Sequence, residues 1–287
     1  MKLRTIGVLG AGVIGAGVTH VLARAGYEVR LVDVSDEILE AAKQQVAESL
    51  RLGRLFTKDY VSRKEAVSQP LERIHLHTDA AALADADFVI ENVTEDIDLK
   101  LQLFARLDSV CPDHAVLATN TSCVPVARLA AATGRPDRVL GIHFMNPVPM
   151  TRGVELIRTD QTSDETLRLA GDLLLSLKKD WTLVNDAPGF VINRVLMLVV
   201  NEAAALVQEG VATAEEVDKI FKTCLGHPMG PLETADMIGL DTVVRSLEVL
   251  HRELGQERFS PAPLLRDKVA AGALGRKSGQ GFFRTKP

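Results

Sequence analysis

A histidine and a glutamate twelve positions apart are the strongest candidates for acid–base chemistry in this 287-residue chain. His143 lies in the segment Gly-Ile-His-Phe-Met-Asn-Pro, and Glu155 lies in Val-Glu-Leu-Ile. An imidazole exchanges protons near neutral pH, and a neighbouring carboxylate orients the ring and stabilises its charged form. A lone histidine at a strand end is often a satisfied core group, but the nearby glutamate favours a general base.

Further polar side chains follow apolar runs that are typical of strands. Glu91 ends the run Phe-Val-Ile-Glu, and Asn120 and Ser122 follow the run Val-Leu-Ala-Thr. In an open parallel sheet, residues just past the carboxyl ends of the strands line the ligand crevice. These three residues are therefore candidates for cofactor or substrate contacts, with helix capping as the alternative for Ser122.

A glycine-rich turn near the N-terminus has the spacing of a dinucleotide site. The pattern G-x-G-x-x-G joins the apolar run 6–9 to an amphipathic segment. Its first glycine permits a tight turn, the second lets the backbone approach a pyrophosphate, and the third lets the helix pack on the sheet. The helix directs its free N–H groups and the positive end of its dipole at the phosphates. The predicted phosphate site comprises Gly10, Gly12, Val13, Ile14 and Gly15.

An acidic residue follows the second strand of this βαβ unit. Asp33 lies 23 residues after Gly10, directly after the run 29–32. A carboxylate there accepts hydrogen bonds from the adenosine ribose hydroxyls and repels a 2′-phosphate. The sequence therefore predicts NAD rather than NADP as the cofactor.

The order of the predicted elements indicates an α/β domain followed by a helical one. Strand and helix patterns alternate as far as about residue 184, which is typical of a Rossmann-type doubly wound sheet. From Pro188 onward, helical periods replace the strand patterns. We predict an NAD-binding Rossmann domain over residues 1–187 and an all-helical C-terminal domain, for substrate binding and dimerisation, over residues 188–287.

The first helix predicted in the C-terminal domain, residues 191–209, is apolar nearly all round. Such a helix must be buried on most sides, and a second subunit is one way to bury it. Asn193 and Arg194 lie in its first turn, where the dipole favours negative charge on a ligand oxygen.

Basic residues cluster at the end of a long helix predicted to run to about residue 55. Arg51, Arg54 and Lys58 could attract an anionic ligand tail such as a phosphate. A solvated helix face is the alternative for each of them.

Composition narrows the class of protein. A net charge of −5 and a pI near 5.8 favour no nucleic-acid partner. Three cysteines show neither metal-ligand spacing nor a disulfide framework, and no apolar run approaches the ~20 residues that span a bilayer. His75 and His77 lie on one face of a predicted strand, without a third ligand nearby. This favours an edge or surface strand over a metal site. We expect a soluble, cytoplasmic protein.

Together these segments resemble the 3-hydroxyacyl-CoA dehydrogenase family. The resemblance covers essentially the whole chain and depends on several unrelated motifs in the same order. The matching segments are residues 10–15, 120–122, 141–149, 154–157, 188–194, 226–231, 236–241 and 275–282.

The resemblance implies NAD-dependent interconversion of a short-chain 3-hydroxyacyl thioester, such as 3-hydroxybutyryl-CoA, and its 3-oxoacyl thioester, with a place in fatty acid metabolism. It implies that His143 is the general base and that Glu155 holds the imidazole. Ser122 and Asn193 would hydrogen-bond the reacting part of the substrate, and Glu91 would contact the nicotinamide side of NAD. The remaining implied contacts are Asn120 with the cofactor, Arg51, Arg54 and Lys58 with the nucleotide of CoA, and a homodimer formed through the helical domain.

Two departures from the family pattern leave the acyl carrier open. Met145 replaces a familiar aromatic residue, and Arg152 lies in the loop before Glu155. These residues suit a small polar acyl group, so the same chemistry on an acyl carrier protein is an alternative to CoA. A non-catalytic, NAD-binding crystallin-like protein is a third possibility, which the intact pair of His143 and Glu155 disfavours.

Overall fold

The computed structural model describes residues 3–56 and 68–284, apart from the side chains of residues 54–56. Backbone contacts divide the chain into two units, Met1–Asp186 and Ala187–Pro287. Each unit has its own buried apolar cluster.

The first unit is built on one eight-stranded sheet with the spatial order β3-β2-β1-β4-β5-β6-β7-β8. All neighbouring strands pair in parallel except β6 and β7, which are antiparallel. This confirms the predicted Rossmann-type sheet. The strands are β1 (Thr5–Leu9), β2 (Glu28–Val32), β3 (Ile74–His77), β4 (Phe88–Glu91), β5 (Val116–Thr119), β6 (Val139–Phe144), β7 (Gly153–Arg158) and β8 (Asp180–Asn185).

The central strands are continuous apolar runs because helices flank the sheet and shield it from water. Every residue of β4, β5 and β6 is buried, whereas most residues of the edge strand β8 are exposed. His75 and His77 lie on β3 at the opposite edge, which confirms the predicted edge strand.

In the described residues, six α-helices connect these strands. Three of them begin with a polar capping residue: Ser35 accepts from the amide of Ile38, Asp96 from that of Leu99, and Ser163 from that of Thr166. The helices are α1 (Val13–Ala25), α2 (Asp36–Phe56), α3 (Ser68–Glu72), α4 (Ile97–Val110), α5 (Val126–Ala130) and α6 (Asp164–Ser176).

The second unit consists of helices around an apolar cluster that includes Leu240, Leu247 and Phe259. Its last described residues fold back on the unit, where the carboxylate of Asp236 accepts from the amides of Phe282 and Phe283. Its helices are α7 (Ile192–Gln208), α8 (Ala214–Cys224), α9 (Pro231–Ile238), α10 (Leu240–Leu254) and α11 (Pro263–Ala270).

Helix α7 is only partly covered by its own chain. One stripe is buried, represented by Met197 and Val200, but Val195 is 57% exposed, and Val191, just before the helix, is 54% exposed. Burial of the exposed side against a second subunit stays a prediction. In the part of the chain that the structure describes, neither α7 nor any other helix has the length and apolar character of a membrane span.

Candidate active site

His143 and Glu155 are directly opposite each other in the antiparallel pair of β6 and β7. Glu155 Oε2 lies 2.8 Å from His143 Nδ1, and each residue is only 5% exposed. A carboxylate at this distance accepts the Nδ1 proton of a neutral imidazole. The other ring nitrogen, Nε2, then keeps its lone pair, which is the requirement for a general base.

The Nε2 atom of His143 faces the hydroxyl group of Ser122, at a distance of 3.2 Å. Ser122 follows β5 and is partly exposed, so its hydroxyl can contact both the imidazole and a bound molecule. The structure therefore brings three of the predicted catalytic residues, Ser122, His143 and Glu155, into one hydrogen-bonded chain.

The segment that carries Ser122 is held by a glutamate that the sequence analysis did not select. One oxygen of Glu95, Oε1, accepts from the hydroxyl of Thr121 and from the amides of Ser122 and Cys123, the amides at 2.7 and 2.8 Å. Carboxylates in loops usually face solvent, so spacing alone does not indicate this role. Glu95 fixes the backbone from which the Ser122 hydroxyl projects.

Glu91 is completely buried in an internal network, and its contact with the cofactor stays a prediction. Its Oε1 atom lies 2.6 Å from the ammonium of Lys100, which is also completely buried, and accepts from the amide of Val93. Its Oε2 atom accepts from the hydroxyl of Thr119 at 2.7 Å. These contacts join the carboxyl ends of β4 and β5, so the role the structure shows for Glu91 is to hold two strands in place.

Asn120 also has a partner within the protein. Its side-chain oxygen accepts from the amide of Phe144 at 2.8 Å, which ties the end of β5 to the end of β6 beside His143. Asn120 is half-buried, and its proposed contact with the cofactor stays a prediction.

The glycine turn has the shape that a dinucleotide requires. Gly10 has a φ of +96°, and a Cβ added there would lie 2.8 Å from the backbone of Asn92. A Cβ on Gly15 would lie 1.8 Å from the Gly10 oxygen, so only glycine allows α1 to approach β1 this closely. A Cβ on Gly12 would meet nothing within 4 Å, which leaves open space in front of the first-turn amides of α1.

Asp33 is in direct contact with this turn. Its Oδ2 atom accepts from the amide of Ala11 and its Oδ1 atom from the amide of Val34, both at 2.6 Å. The carboxylate is thereby fixed at the carboxyl end of β2, half-exposed and beside the phosphate site. The residues present therefore fit NAD, with the pyrophosphate at Gly12, Val13 and Ile14 and the ribose at Asp33.

A cavity of about 440 Å³ lies between α1, α2 and the loop that follows β6. Its lining is mostly apolar and includes Gly17 and His20 of α1, Val46 and Ser49 of α2, and Val148 and Pro149 of the loop. Because this loop directly follows the His143 strand, the cavity is a candidate site for the arm of an elongated substrate.

The predicted nucleotide contacts lie at the end of α2. Arg51 is exposed there, two residues after the cavity-lining Ser49. The side chain of Arg54 and the whole of Lys58 lie outside the described residues. Arg152, considered as a contact for a polar acyl group, pairs with Asp180 at 3.1 Å on the surface.

Asn193 belongs to the second unit, where it lies half-buried in the first turn of α7 with Arg194. Gly189 and Phe190 precede it with positive φ angles of 73° and 48°, so the chain turns sharply into the helix. The contact of Asn193 with the substrate stays a prediction.

Two family models match consecutive parts of the chain. The NAD-binding domain of 3-hydroxyacyl-CoA dehydrogenase matches residues 5–187, and the C-terminal domain of 3-hydroxyacyl-CoA dehydrogenase matches residues 189–285.

Individual proteins are similar over nearly their whole length. A probable 3-hydroxybutyryl-CoA dehydrogenase of Deinococcus radiodurans is 46% identical over 278 residues, which cover 97% of this chain and 99% of that protein. The 3-hydroxybutyryl-CoA dehydrogenase of Bradyrhizobium diazoefficiens is 42% identical over 281 residues, which cover 98% and 95%. The crystal structure of (S)-3-hydroxybutyryl-CoA dehydrogenase from Ralstonia eutropha superposes with a TM-score of 0.92 at 41% identity, over 100% of both chains.

Proposed function

Because the chain belongs to the 3-hydroxyacyl-CoA dehydrogenase family, we propose that it oxidises (S)-3-hydroxybutyryl-CoA to acetoacetyl-CoA, and catalyses the reverse reduction. The chain is an NAD-dependent oxidoreductase that interconverts short-chain 3-hydroxyacyl and 3-oxoacyl thioesters. The choice of the four-carbon acyl group and its S configuration is supported by the names of the relatives. The observation that carries the chemistry is the chain of Ser122, His143 and Glu155.

In this proposal His143 is the general base. Its Nε2 atom accepts the proton of the substrate hydroxyl. The Ser122 hydroxyl, which lies 3.2 Å from Nε2, donates to the oxygen of that substrate hydroxyl and holds it in line with the ring. Glu155 accepts from Nδ1 at 2.8 Å, so it fixes the tautomer and stabilises the imidazolium that forms. When bound, NAD supplies the acceptor for the hydride that leaves the hydroxyl-bearing carbon.

The cavity beside α2 supports a thioester with a long arm. Its mostly apolar walls suit a pantetheine chain, and the exposed cation of Arg51 lies two residues beyond Ser49 on the same helix. An anionic nucleotide at the end of CoA would be attracted there. The relatives are named for CoA substrates, and they give the carrier-protein alternative no support.

The test is a substrate panel read by NADH absorbance. The (S) and (R) forms of 3-hydroxybutyryl-CoA, the corresponding acyl carrier protein thioester and a pantetheine thioester are compared at equal concentration. We expect the highest kcat/KM with the (S)-CoA thioester. A higher value with the carrier-protein thioester, or no NADH with any of them, would contradict the proposal.

We also propose that the enzyme is a homodimer that associates through the helical unit. The supporting observation is the exposed apolar stripe of α7, where Val191, Ile192 and Val195 face outward. Light scattering at micromolar concentration should give twice the mass of the chain, whereas a monomer mass with full activity would refute the dimer.

A cytoplasmic location and a role in fatty acid metabolism stay predictions. The first is supported by three free cysteines.

A further inference from the structure

Lys179, at the start of the last strand of the sheet, is a buried cation bonded to a single loop. The residue is 4% exposed. Its ammonium donates to the carbonyl of Thr151 at 2.5 Å and to the carbonyl of Val148. Both carbonyls belong to the loop between β6 and β7, the strands that carry His143 and Glu155.

The charge that acts on Lys179 is positive: it is the guanidinium of Arg24 on α1. The ammonium of Lys179 in turn disfavours protonation of His20 on the same helix. In the described part of the chain no carboxylate forms an ion pair with this ammonium. Burial, assisted by Arg24, lowers the pKa of Lys179 to about 8. Burying an unpaired ammonium is costly, so the two carbonyl contacts must offset that cost.

Other contacts of the loop lie at its end and in its apolar packing: Asp180 bonds and pairs with Arg152, and Val148 is buried in the core. The β6–β7 ladder pairs Gly141–Phe144 with Val154–Ile157 and therefore stops short of residues 147–151. The loop also packs against α1, where a Cβ added to Gly17 would lie 2.9 Å from Val148 Cβ. Among the side chains of the described residues, the ammonium of Lys179 is the cation that bonds two carbonyls of this loop, those of Val148 and Thr151.

The same loop forms one wall of the 440 Å³ cavity, through residues 146–150. We propose that Lys179 is a positioning residue for substrate binding: it holds this wall at the width that the thioester arm requires. The inference rests on the proposed function in one respect, that the cavity receives the arm of the thioester.

The prediction is a change in KM that is separate from kcat. In Lys179→Met the loop at residues 146–150 loses its bonds to the ammonium, so it must become ordered when the substrate binds. This ordering costs free energy, and KM for 3-hydroxybutyryl-CoA should therefore rise roughly fivefold to tenfold. KM for NAD should stay within about twofold, and so should kcat, because the ladder still pairs His143 with Glu155. A purely structural role would instead reduce the active fraction, lowering apparent kcat while leaving KM unchanged.

The matched control is Lys178→Asn. This neighbouring lysine is exposed and has a φ of +57°, a conformation that asparagine tolerates. Removing its charge should leave all three constants unchanged. If Lys179→Met does not fold, Lys179→Gln, which retains amide donors at shorter reach, provides the same comparison.

Hydrogen–deuterium exchange tests the inference without substrate. The amides of Met150 and Thr151 both donate to the carbonyl of Pro147 within the loop. They should exchange faster in Lys179→Met than in Lys178→Asn or the wild-type protein. Unchanged exchange, or an unchanged thioester KM in an active variant, would overturn the inference. If the wild-type enzyme oxidises no CoA thioester, the proposed function fails, and the exchange rates still decide whether Lys179 holds the loop.

Discussion

The ammonium of Lys100 lies 2.6 Å from Glu91 Oε1, and both side chains are completely buried at the carboxyl edge of the sheet. The same ammonium lies 3.6 Å from Glu95, the residue that fixes the Ser122 segment. One cation therefore links the end of β4 to the residue that holds the Ser122 loop. Removing the charge of Lys100 should therefore change both the free energy of unfolding and the position of the Ser122 loop.

Lys100→Met should lower the free energy of unfolding by about 3–5 kcal/mol, since it leaves the Glu91 carboxylate buried without its cation. The double variant Lys100→Met with Glu91→Gln should recover part of this loss. Urea unfolding followed by circular dichroism measures both. A loss below about 1 kcal/mol in the single variant would mean that the buried pair does not stabilise the fold.

His143→Ala should reduce kcat roughly 10²–10⁴-fold, the usual contribution of a positioned proton acceptor. NADH binding, followed by fluorescence, should be unchanged because the glycine turn lies elsewhere in the sheet. Glu155→Gln should also reduce kcat, since an amide stabilises the imidazolium less than a carboxylate does. More than half of the wild-type turnover in His143→Ala would rule out the base.

Asp33→Ser should narrow the preference for NAD over NADP. The change removes a ribose acceptor and the charge that repels a 2′-phosphate. The ratio of kcat/KM for the two cofactors, measured on the wild-type protein and the variant, gives the result. Equal efficiency with NAD and NADP in the wild-type protein would contradict the role given to Asp33.

His20 should make the protein less stable in acid. Burial, with smaller contributions from the Arg24 and Lys179 charges, lowers its pKa to about 4 from the ordinary value of 6.5. Between these values the unfolded chain binds the proton and the folded chain does not, so stability falls as pH falls from 6.5 to 4, by about 3 kcal/mol in total. His20→Gln should reduce the loss of stability over this range, whereas His227→Gln, at an exposed histidine of the helical unit, should not. Identical pH profiles for the wild-type protein and His20→Gln would exclude this effect.

Arg51→Ala should raise KM for 3-hydroxybutyryl-CoA about tenfold, the equivalent of one charge-assisted hydrogen bond to phosphate. KM for a pantetheine thioester without the nucleotide should not change. Arg128→Ala, which removes another exposed arginine of the same unit, is the control. If KM for 3-hydroxybutyryl-CoA changes less than about twofold in Arg51→Ala, Arg51 does not bind the nucleotide of CoA.

Much of the first unit was predictable because its signals are local. Apolar runs predicted the central strands, alternation predicted the strand of His75 and His77, and the glycine spacing with Asp33 predicted the cofactor turn. The pairing of His143 with Glu155 was predictable as well, since two residues twelve positions apart across a proline turn can be opposite each other in a hairpin.

What could not be predicted depends on side-chain directions over longer distances. Lysine is usually exposed, so nothing in the sequence places Lys100 between Glu91 and Glu95, or Lys179 against the β6–β7 loop. Helix α9 has only eight residues, beginning with Pro231, too few for a clear helical period. For α7, the apolar composition predicted burial on most sides, with a second subunit as one way to achieve it. Which of its residues the chain itself leaves exposed depends on the packing of the other helices.

The one antiparallel pair in the sheet determines which insertions and deletions the enzyme can tolerate. His143 and Glu155 share a face because side chains alternate along a strand, so a slip of one residue in β6 or β7 would move one of them to the opposite face. An added residue in the connecting loop needs no such slip and would change only the cavity wall. Changes in loop length should therefore alter which thioesters the enzyme accepts, and changes in strand length should abolish turnover.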